Sequence, residues 1–245
     1  MDLNEFLNAY AFLIKQQLQA LAHLENCGVV FGNIKPSRFL FDINTNNLKL
    51  INFEQAVKRL DRAPVIHEEQ AAPEAFKLLF NDQAFLPATE ALDIYALGQQ
   101  FYRVLSRLET GQDTFFSHQT HIPKGTDRQE RLSILSQAME DYIKPNADNS
   151  YKQAFPDNEA SRHRFFRAIA KRCHPQMSDQ EQLDAETQKV QQQLTPALEL
   201  VNQLLHPNPD LRIKASKALE SPFFKDKPIN EKQALNTINQ TTSDI

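Results

Sequence analysis

Glycine is scarce in this chain, which contains only five glycines among 245 residues. No two of them have the spacing of a G-x-G-x-x-G turn or of a Walker-type loop, so the common glycine-rich phosphate cradles are excluded. Tryptophan is absent, and the chain is rich in leucine, glutamine, alanine and glutamate. Such a composition is typical of a mostly helical protein.

Cysteine and long apolar runs are also limited, and neither sign of charge dominates. Two cysteines, Cys27 and Cys173, are too few for a disulfide framework and predict a reducing compartment. No apolar run is long enough to span a membrane, and the polar N-terminus does not resemble a signal peptide. A net charge of −4 argues against general binding to nucleic acid or to a membrane surface. We therefore expect a cytoplasmic location.

Helical periodicity dominates what the chain does contain. Asp2 predicts the start of a long first helix, and Gly28 predicts its end. Two strand-like runs at 39–41 and 48–51 flank the polar segment 44–47, which predicts a β-hairpin. Apolar spacing predicts further helices over 91–106, about 127–143, about 159–172, 179–206 and about 213–220.

Capping and breaking residues set the predicted limits of the later helices. Thr126 with Gln129 predicts one capping box, and Ser178 with Glu181 predicts another. Pro196 removes a backbone donor and predicts a break between two helices. The fold class expected from these patterns is mainly α with a small β-hairpin.

Five segments, taken in order, carry more information than any single motif. They read VVFGNIKPSRFLFD, KLINFEQAV, AAPEAF, LDIYALGQQFYRVL and LLHPNPDLRIKASKALESPFF. Together they resemble the C-terminal lobe of protein kinases, over about residues 3–106 and 197–226. The resemblance implies a kinase C-lobe-like domain over 1–228, with an enlarged helical insertion at 107–196. The polar composition of 229–245 predicts a flexible tail.

The segment FGNIKPSR matches the family's catalytic loop, H-R-D-L-x-x-x-N. In the family, the Asp accepts the proton of the substrate hydroxyl and the Asn holds a magnesium ion. Asn33 stands at the Asp position and Arg38 at the Asn position, so a carboxamide replaces the base and a fixed cation replaces a metal ligand. Lys35 matches a residue that contacts the transferred phosphate. The alternative is a structural lysine paired with Asp93 or Glu54.

The segment Asn52-Phe53-Glu54 matches the family's metal-binding D-F-G. An amide oxygen binds Mg²⁺ more weakly than a carboxylate does. The resemblance also begins just before the catalytic loop, so we expect no counterpart of the small lobe that covers the nucleotide. We expect no enzymatic activity, no cofactor and no bound metal. The positions at which the sequence departs from the catalytic pattern are Asn33, Lys35, Arg38, Asn52 and Glu54.

Three further matches concern the stability of the fold. Glu74 is expected to form a buried ion pair with Arg212, as the family's A-P-E glutamate does with a later arginine. Asp93 is expected to cap the backbone of the catalytic loop. Removing one partner of a buried pair costs about 3–5 kcal/mol. The presence of all three residues indicates that this sequence keeps the interactions that stabilise the fold rather than the groups that phosphoryl transfer needs.

A cationic stretch occupies eleven consecutive residues, which include five cations and no acid. Arg164, Arg167 and Lys171 fall on one face of the predicted helix. One interpretation is a docking site for an acidic protein, a phosphate or an anionic lipid. The other is a solvated face paired with the acidic start of the next helix, at 179–184.

Two functions from different classes remain open. The first is a catalytically inactive pseudokinase that serves as a protein-binding scaffold or regulatory module. Its partner would be another protein, such as a kinase or a second copy, and one form would be a bacterial effector secreted into a host cytosol. The alternative is an atypical nucleotide-binding phosphotransferase that needs a small lobe or partner in trans, with Arg38 in the role of the cation and Lys35 on a phosphate. His118 and His121 lack a third ligand, so no metal site is predicted. The chain being part of a longer kinase-like protein is a third interpretation.

Overall fold

Helices form most of the structure. A computed structural model of the chain describes residues 2–64, 71–79, 85–111, 125–146, 150, 153–155 and 158–225. Its helices are α1 (Leu3–Cys27), α2 (Glu90–Thr110), α3 (Arg128–Ile143), α4 (Glu159–Cys173), α5 (Gln180–Leu204) and α6 (Ala215–Ala218). Short 3-10 helices cover Pro36–Arg38, Pro73–Leu79 and Pro222–Phe224. The prediction of a mainly helical fold is confirmed, and the predicted tail at 229–245 lies outside the described residues.

Four short strands lie near the start of the chain. They are β1 (Val29–Val30), β2 (Phe39–Asp42), β3 (Asn47–Leu50) and β4 (Val57–Lys58). β2 and β3 form the predicted antiparallel hairpin, with Phe39 opposite Leu50. β1 pairs with β4 in a second antiparallel pair. This second pair was not predicted, because strands of two residues are too short to show an alternating pattern.

The ends of α1 are those that the sequence predicts. The Asp2 carboxylate accepts hydrogen bonds from the backbone N–H groups of Asn4 at 2.9 Å and Glu5 at 3.1 Å. Gly28 ends the helix with a φ of 66°, in the left-handed region that glycine adopts without steric cost. Local chemistry therefore determines both ends of this helix.

The later helix boundaries differ from the prediction. α3 and α5 begin after Asp127 and Asp179, whose side chains accept hydrogen bonds from backbone N–H groups at 2.8–2.9 Å. The predicted caps, Thr126 and Ser178, are therefore each one residue early. A carboxylate at the cap also interacts favourably with the helix dipole, and here it takes that position from the neighbouring hydroxyl.

Pro196 does not break α5, which continues from Gln180 to Leu204. An interior proline costs a helix about 3 kcal/mol or more. Leu194, Ala197 and Leu198, on either side of it, are buried in the core. Burial of these apolar side chains offsets the local cost, since each large one contributes about 1.5–3 kcal/mol.

The core is built around α2, which is buried on almost all sides. Tyr95, Leu97 and Phe101 are fully buried there. α5 crosses α2 at Gly98, where an added Cβ would lie 2.9 Å from the side chain of Leu204. The close approach therefore requires glycine. One hydrophobic cluster joins α1, α2, α4 and α5.

The carboxylate of Asp93, in the first turn of α2, holds the segment after β1. Its oxygens accept hydrogen bonds from the backbone N–H groups of Phe31 at 2.6 Å and Gly32 at 2.8 Å. The expected capping interaction is therefore present. Burial raises the pKa of Asp93 to about 7, and the two hydrogen bonds oppose this increase.

A buried ion pair joins the two distant parts of the chain. The Arg212 guanidinium binds the Glu74 carboxylate through two hydrogen bonds, of 2.7 and 2.9 Å. The same guanidinium donates to the carbonyl oxygens of Ala91 at 2.7 Å and His206 at 2.9 Å. It also lies 4.8 Å from the centre of the Tyr95 ring. The expected pair is present, and its remaining donors are used by the backbone.

Replacement of Arg212 by methionine tests this pair. It leaves the Glu74 carboxylate without its partner, so we expect the free energy of unfolding to fall by about 3–5 kcal/mol. Adding Glu74→Leu to the same chain should restore part of that loss, because the uncompensated charge is removed. Urea denaturation of both single variants and the double variant measures the coupling. Strictly additive losses would contradict the assignment.

The raised pKa of Asp93 predicts a pH dependence of stability. The folded-state pKa of about 7 exceeds the ordinary value of 3.8. The contribution of this group to stability is therefore fully present below the ordinary value and is lost as the pH rises towards 7.

The difference in unfolding free energy between the parent chain and Asp93→Asn should fall across that pH range. Denaturant unfolding at several pH values measures it. Asp210→Asn serves as the control, because Asp210 is exposed. A difference that does not change with pH would rule out the shift.

Candidate functional site

The loop after β1 is a tight turn with little freedom. Gly32 has a φ of 75°, and an added Cβ would lie 2.2 Å from Cγ of Pro64, so only glycine fits. Asn33 follows and is only 2 % exposed. The 3-10 turn that comes next closes through a hydrogen bond of 2.9 Å from the Arg38 N–H to the Lys35 carbonyl. The backbone thus brings Asn33 and Arg38 close together.

The Arg38 side chain contacts Asn33 and Glu54, and we call these three residues, together with Lys35 three positions before Arg38, the loop cluster. With the Asn33 amide oxygen facing Arg38, Oδ1 accepts hydrogen bonds from Nε at 3.2 Å and from Nη2 at 2.7 Å. Arg38 Nη1 forms an ion pair of 3.0 Å with Glu54 Oε1. All three guanidinium nitrogens therefore have a partner.

The ion pair between Arg38 and Glu54 was not predicted. A signal for this pair was present in the sequence, because Arg38 and Glu54 carry opposite charges at two positions that lie close together in the family. The Arg38 side chain is 14 % exposed, whereas the Glu54 side chain is 59 % exposed. Arg38 is thus held on its buried side by Asn33 and is paired at its outer edge with an exposed acid.

Lys35 remains apart from the acids near it. It is half-buried. The predicted alternative, a pair with Asp93 or Glu54, is not formed in the described part of the chain, since Asp93 binds backbone N–H groups and Glu54 binds Arg38. Lys35 therefore keeps its charge available at one end of the 3-10 turn.

Two exposed apolar side chains, Leu40 and Phe53, which we call the apolar surface, lie in the segments that carry the loop cluster. Asn52 has a φ of 64°, which turns the chain sharply after β3. Phe53 follows, and its ring packs edge-on against Phe31 with 5.2 Å between ring centres, yet it remains 48 % exposed. Leu40, on the hairpin, is 55 % exposed. Both side chains lie on the part of the chain that carries the loop cluster.

The cationic face of α4 is formed by Arg164, Arg167 and Lys171. It shows features of both interpretations of the sequence, the docking site and the solvated face paired with the next helix. Arg167 forms an ion pair with Asp184 on α5, as the solvated-face interpretation expects. Arg164 donates a hydrogen bond of 3.0 Å to the Ser161 hydroxyl and is exposed. Lys171 is exposed as well. One cation of the three is therefore neutralised by α5.

The remaining candidate groups do not form a site. His118 and His121 lie outside the described residues. Cys27 is exposed, and its sulfur lies 3.7 Å from His23 Nε2. Across the described ranges, no group of three or more His, Cys, Asp or Glu residues is arranged to hold a metal ion. None of the described helices combines the length and apolarity needed to cross a membrane.

Comparison with known proteins identifies related chains. The family model for the protein kinase domain matches residues 6–224. GLH-binding kinase 1 of Caenorhabditis elegans is 25 % identical over 245 residues, which cover 94 % of this chain and 56 % of that protein. Glycogen synthase kinase 1 of Pyricularia oryzae is 26 % identical over 218 residues, which cover 87 % of this chain and 46 % of that protein. The chain spans about half the length of the curated relatives it matches.

These comparisons correct one expectation. Asn33, Arg38 and Asn52 stand where the family has its base and metal ligands, and they predict a protein that is not an enzyme. That prediction is wrong, because the family match covers most of the chain and both relatives are named kinases, which points to an enzyme family. The resemblance seen in the sequence is confirmed, and this chain belongs to the protein kinase family.

Proposed function

We propose that this chain is a regulatory, protein-binding part of a protein kinase-family protein and forms one large-lobe domain over residues 1–228. In this proposal the helical region at 107–196 is an insertion that supplies the docking surface. The observation that carries the proposal is the cationic face of α4. The partner that fits this face is an acidic segment of another protein.

The apolar side of α4 supports this role. Phe165, Phe166 and Ile169 are buried in the shared core. A helix anchored along one side presents its opposite side in a fixed geometry. A partner therefore meets cations whose backbone positions are already fixed, and only their side chains have to be ordered on binding.

The charges on the face favour an acidic partner. Arg164 and Lys171 have no acidic partner within the described ranges. Arg167 does have one, but half of the Asp184 side chain is exposed. Exposed ion pairs contribute about 0–1 kcal/mol, so an incoming carboxylate can replace Asp184 at little cost.

The overall charge limits the size of the partner's acidic region. The chain has a net charge of −4 although this helix contributes five cations, so the remainder carries an excess of acids. A long polyanion that extended beyond the face would meet that negative surface. A short acidic segment responds to the local cations alone, since charges more than about 8 Å apart are largely screened at physiological salt.

A relative gives further support for protein binding. GLH-binding kinase 1 carries the name of another protein that it binds, and it aligns with most of this chain. By similarity, this chain is a protein-binding member of the same family.

A second candidate function is phosphoryl transfer completed by a small lobe, supplied by the rest of the protein or by another chain. The exposed Leu40 and Phe53 side chains favour it, because a second lobe would cover this apolar surface. Leu40→Asp with Phe53→Asp should abolish transfer of labelled phosphate from ATP by the full-length protein. Docking at α4 should remain unchanged. Undiminished phosphate transfer by this double variant would exclude the second candidate.

Charge reversal on α4 tests the docking surface. The double variant Arg164→Glu and Lys171→Glu turns attraction into repulsion. We expect its affinity for a labelled ten-residue glutamate peptide to fall on the order of ten-fold or more. Fluorescence anisotropy measures the binding, and the affinity of the parent chain should also fall as salt is added.

A matched control separates docking from net charge. Arg128→Glu with Lys58→Glu makes the same change in charge at two exposed positions on other elements. We expect this control to bind the peptide nearly as the parent does. An equal loss of affinity in both double variants would show that overall charge, and not α4, attracts the peptide.

A further inference from the structure

The divalent-cation site of the protein kinase family does not fit the residues of this chain. In the family an Asn of the catalytic loop and the Asp of D-F-G hold the metal. Arg38 and Asn52 stand at those positions. A guanidinium has only donors and a fixed positive charge, so it cannot ligate a cation and repels one. Asn33 and Glu54 hold this guanidinium in place through 2.7 Å and 3.0 Å contacts.

We propose that the Arg38 guanidinium takes the place of the divalent cation, and that Arg38 and Lys35 bind a phosphate chain without metal. The phosphate chain belongs either to a nucleoside triphosphate or to a free polyphosphate. This inference concerns the loop cluster and is independent of docking at α4.

The geometry of Arg38 suits this role. Its Nε and Nη2 atoms donate to the Asn33 amide oxygen, and Asn33 is 2 % exposed. Because Asn33 is neutral, it fixes the orientation of the guanidinium without neutralising its charge, and Glu54 is the acid that pairs with it. A positioned guanidinium binds phosphate oxygens through charge-assisted hydrogen bonds. The buried amide therefore prepares the cation for an anionic ligand.

Glu54 is the exchangeable partner in the loop cluster. It pairs with Nη1 at the outer edge of Arg38, and its side chain is 59 % exposed. An ion pair this exposed contributes about 0–1 kcal/mol. A phosphate chain carries several negative charges and competes well for the same edge. Glu54 thus occupies the site until a phosphate displaces it into solvent.

Lys35 supplies the second cation. It precedes the 3-10 turn that ends at Arg38, and the backbone hydrogen bond of 2.9 Å between the two residues closes that turn. No ion pair neutralises Lys35 in the part of the chain that the structure describes. Once Glu54 is displaced, this short turn carries two cations without an acidic partner in the described part of the chain.

Binding of ATP and of inorganic tripolyphosphate to the full chain tests the inference. Isothermal titration calorimetry in EDTA and in excess Mg²⁺ measures both probes. We expect binding in EDTA at least as strong as in Mg²⁺, because free cations compete with Arg38 for the phosphates. Arg38→Gln should weaken binding on the order of ten-fold, and Arg128→Gln, at an exposed arginine on α3, should not change it.

Glu54→Gln is expected to strengthen binding, and a misfolded variant would not produce that effect. Removing the competing charge should tighten binding of both probes by about two- to five-fold. Stronger binding of ATP than of tripolyphosphate would identify a nucleotide as the ligand, and equal binding would identify the phosphate chain alone. The inference is overturned if binding requires Mg²⁺, if neither probe binds the parent chain or Glu54→Gln, or if Glu54→Gln brings no gain.

Discussion

The hydrogen bonds from two backbone N–H groups to the Asp93 carboxylate fix the loop on which the candidate site depends. The Phe31 and Gly32 N–H groups lie where water has little access, and an unpaired buried donor is costly. Asp93 satisfies both from the first turn of a fully packed helix. Burial raises the pKa of the Asp93 carboxyl, which means that keeping this carboxylate charged in the interior costs free energy. The positions of Asn33 and Arg38 follow from this anchor.

A second buried charge, Arg212, anchors the start of the same helix. Arg212 joins Glu74 to the carbonyl of Ala91, which lies in the same first turn of α2 as Asp93. The two anchors therefore act on neighbouring residues of α2. Buried ion pairs often contribute little net stability, but they penalise alternative arrangements that separate the charges. The frame around the loop is thus specific, whichever ligand the loop takes.

The loop cluster and the cationic face of α4 illustrate two different uses of positive charge. Arg38 is largely buried and held by a neutral amide, so its geometry is fixed and its charge remains. Arg164 and Lys171 are exposed on α4, whose other side is in the core. The first arrangement suits a small, highly charged anion, and the second suits a longer acidic segment. Both lie on the scaffold of a protein kinase-family chain.

The sequence by itself determined the family, the helical class, the β2–β3 hairpin and the partners of Asp93 and Arg212, because ordered motifs and local periodicity carry that information. Tertiary structure decided the rest. Packing of neighbouring leucines carries α5 through Pro196, and the pair between Arg38 and Glu54 forms only because the turn at Asn52 brings two loops together. Such outcomes depend on burial and on contacts between distant residues, and these are energies that no local pattern records.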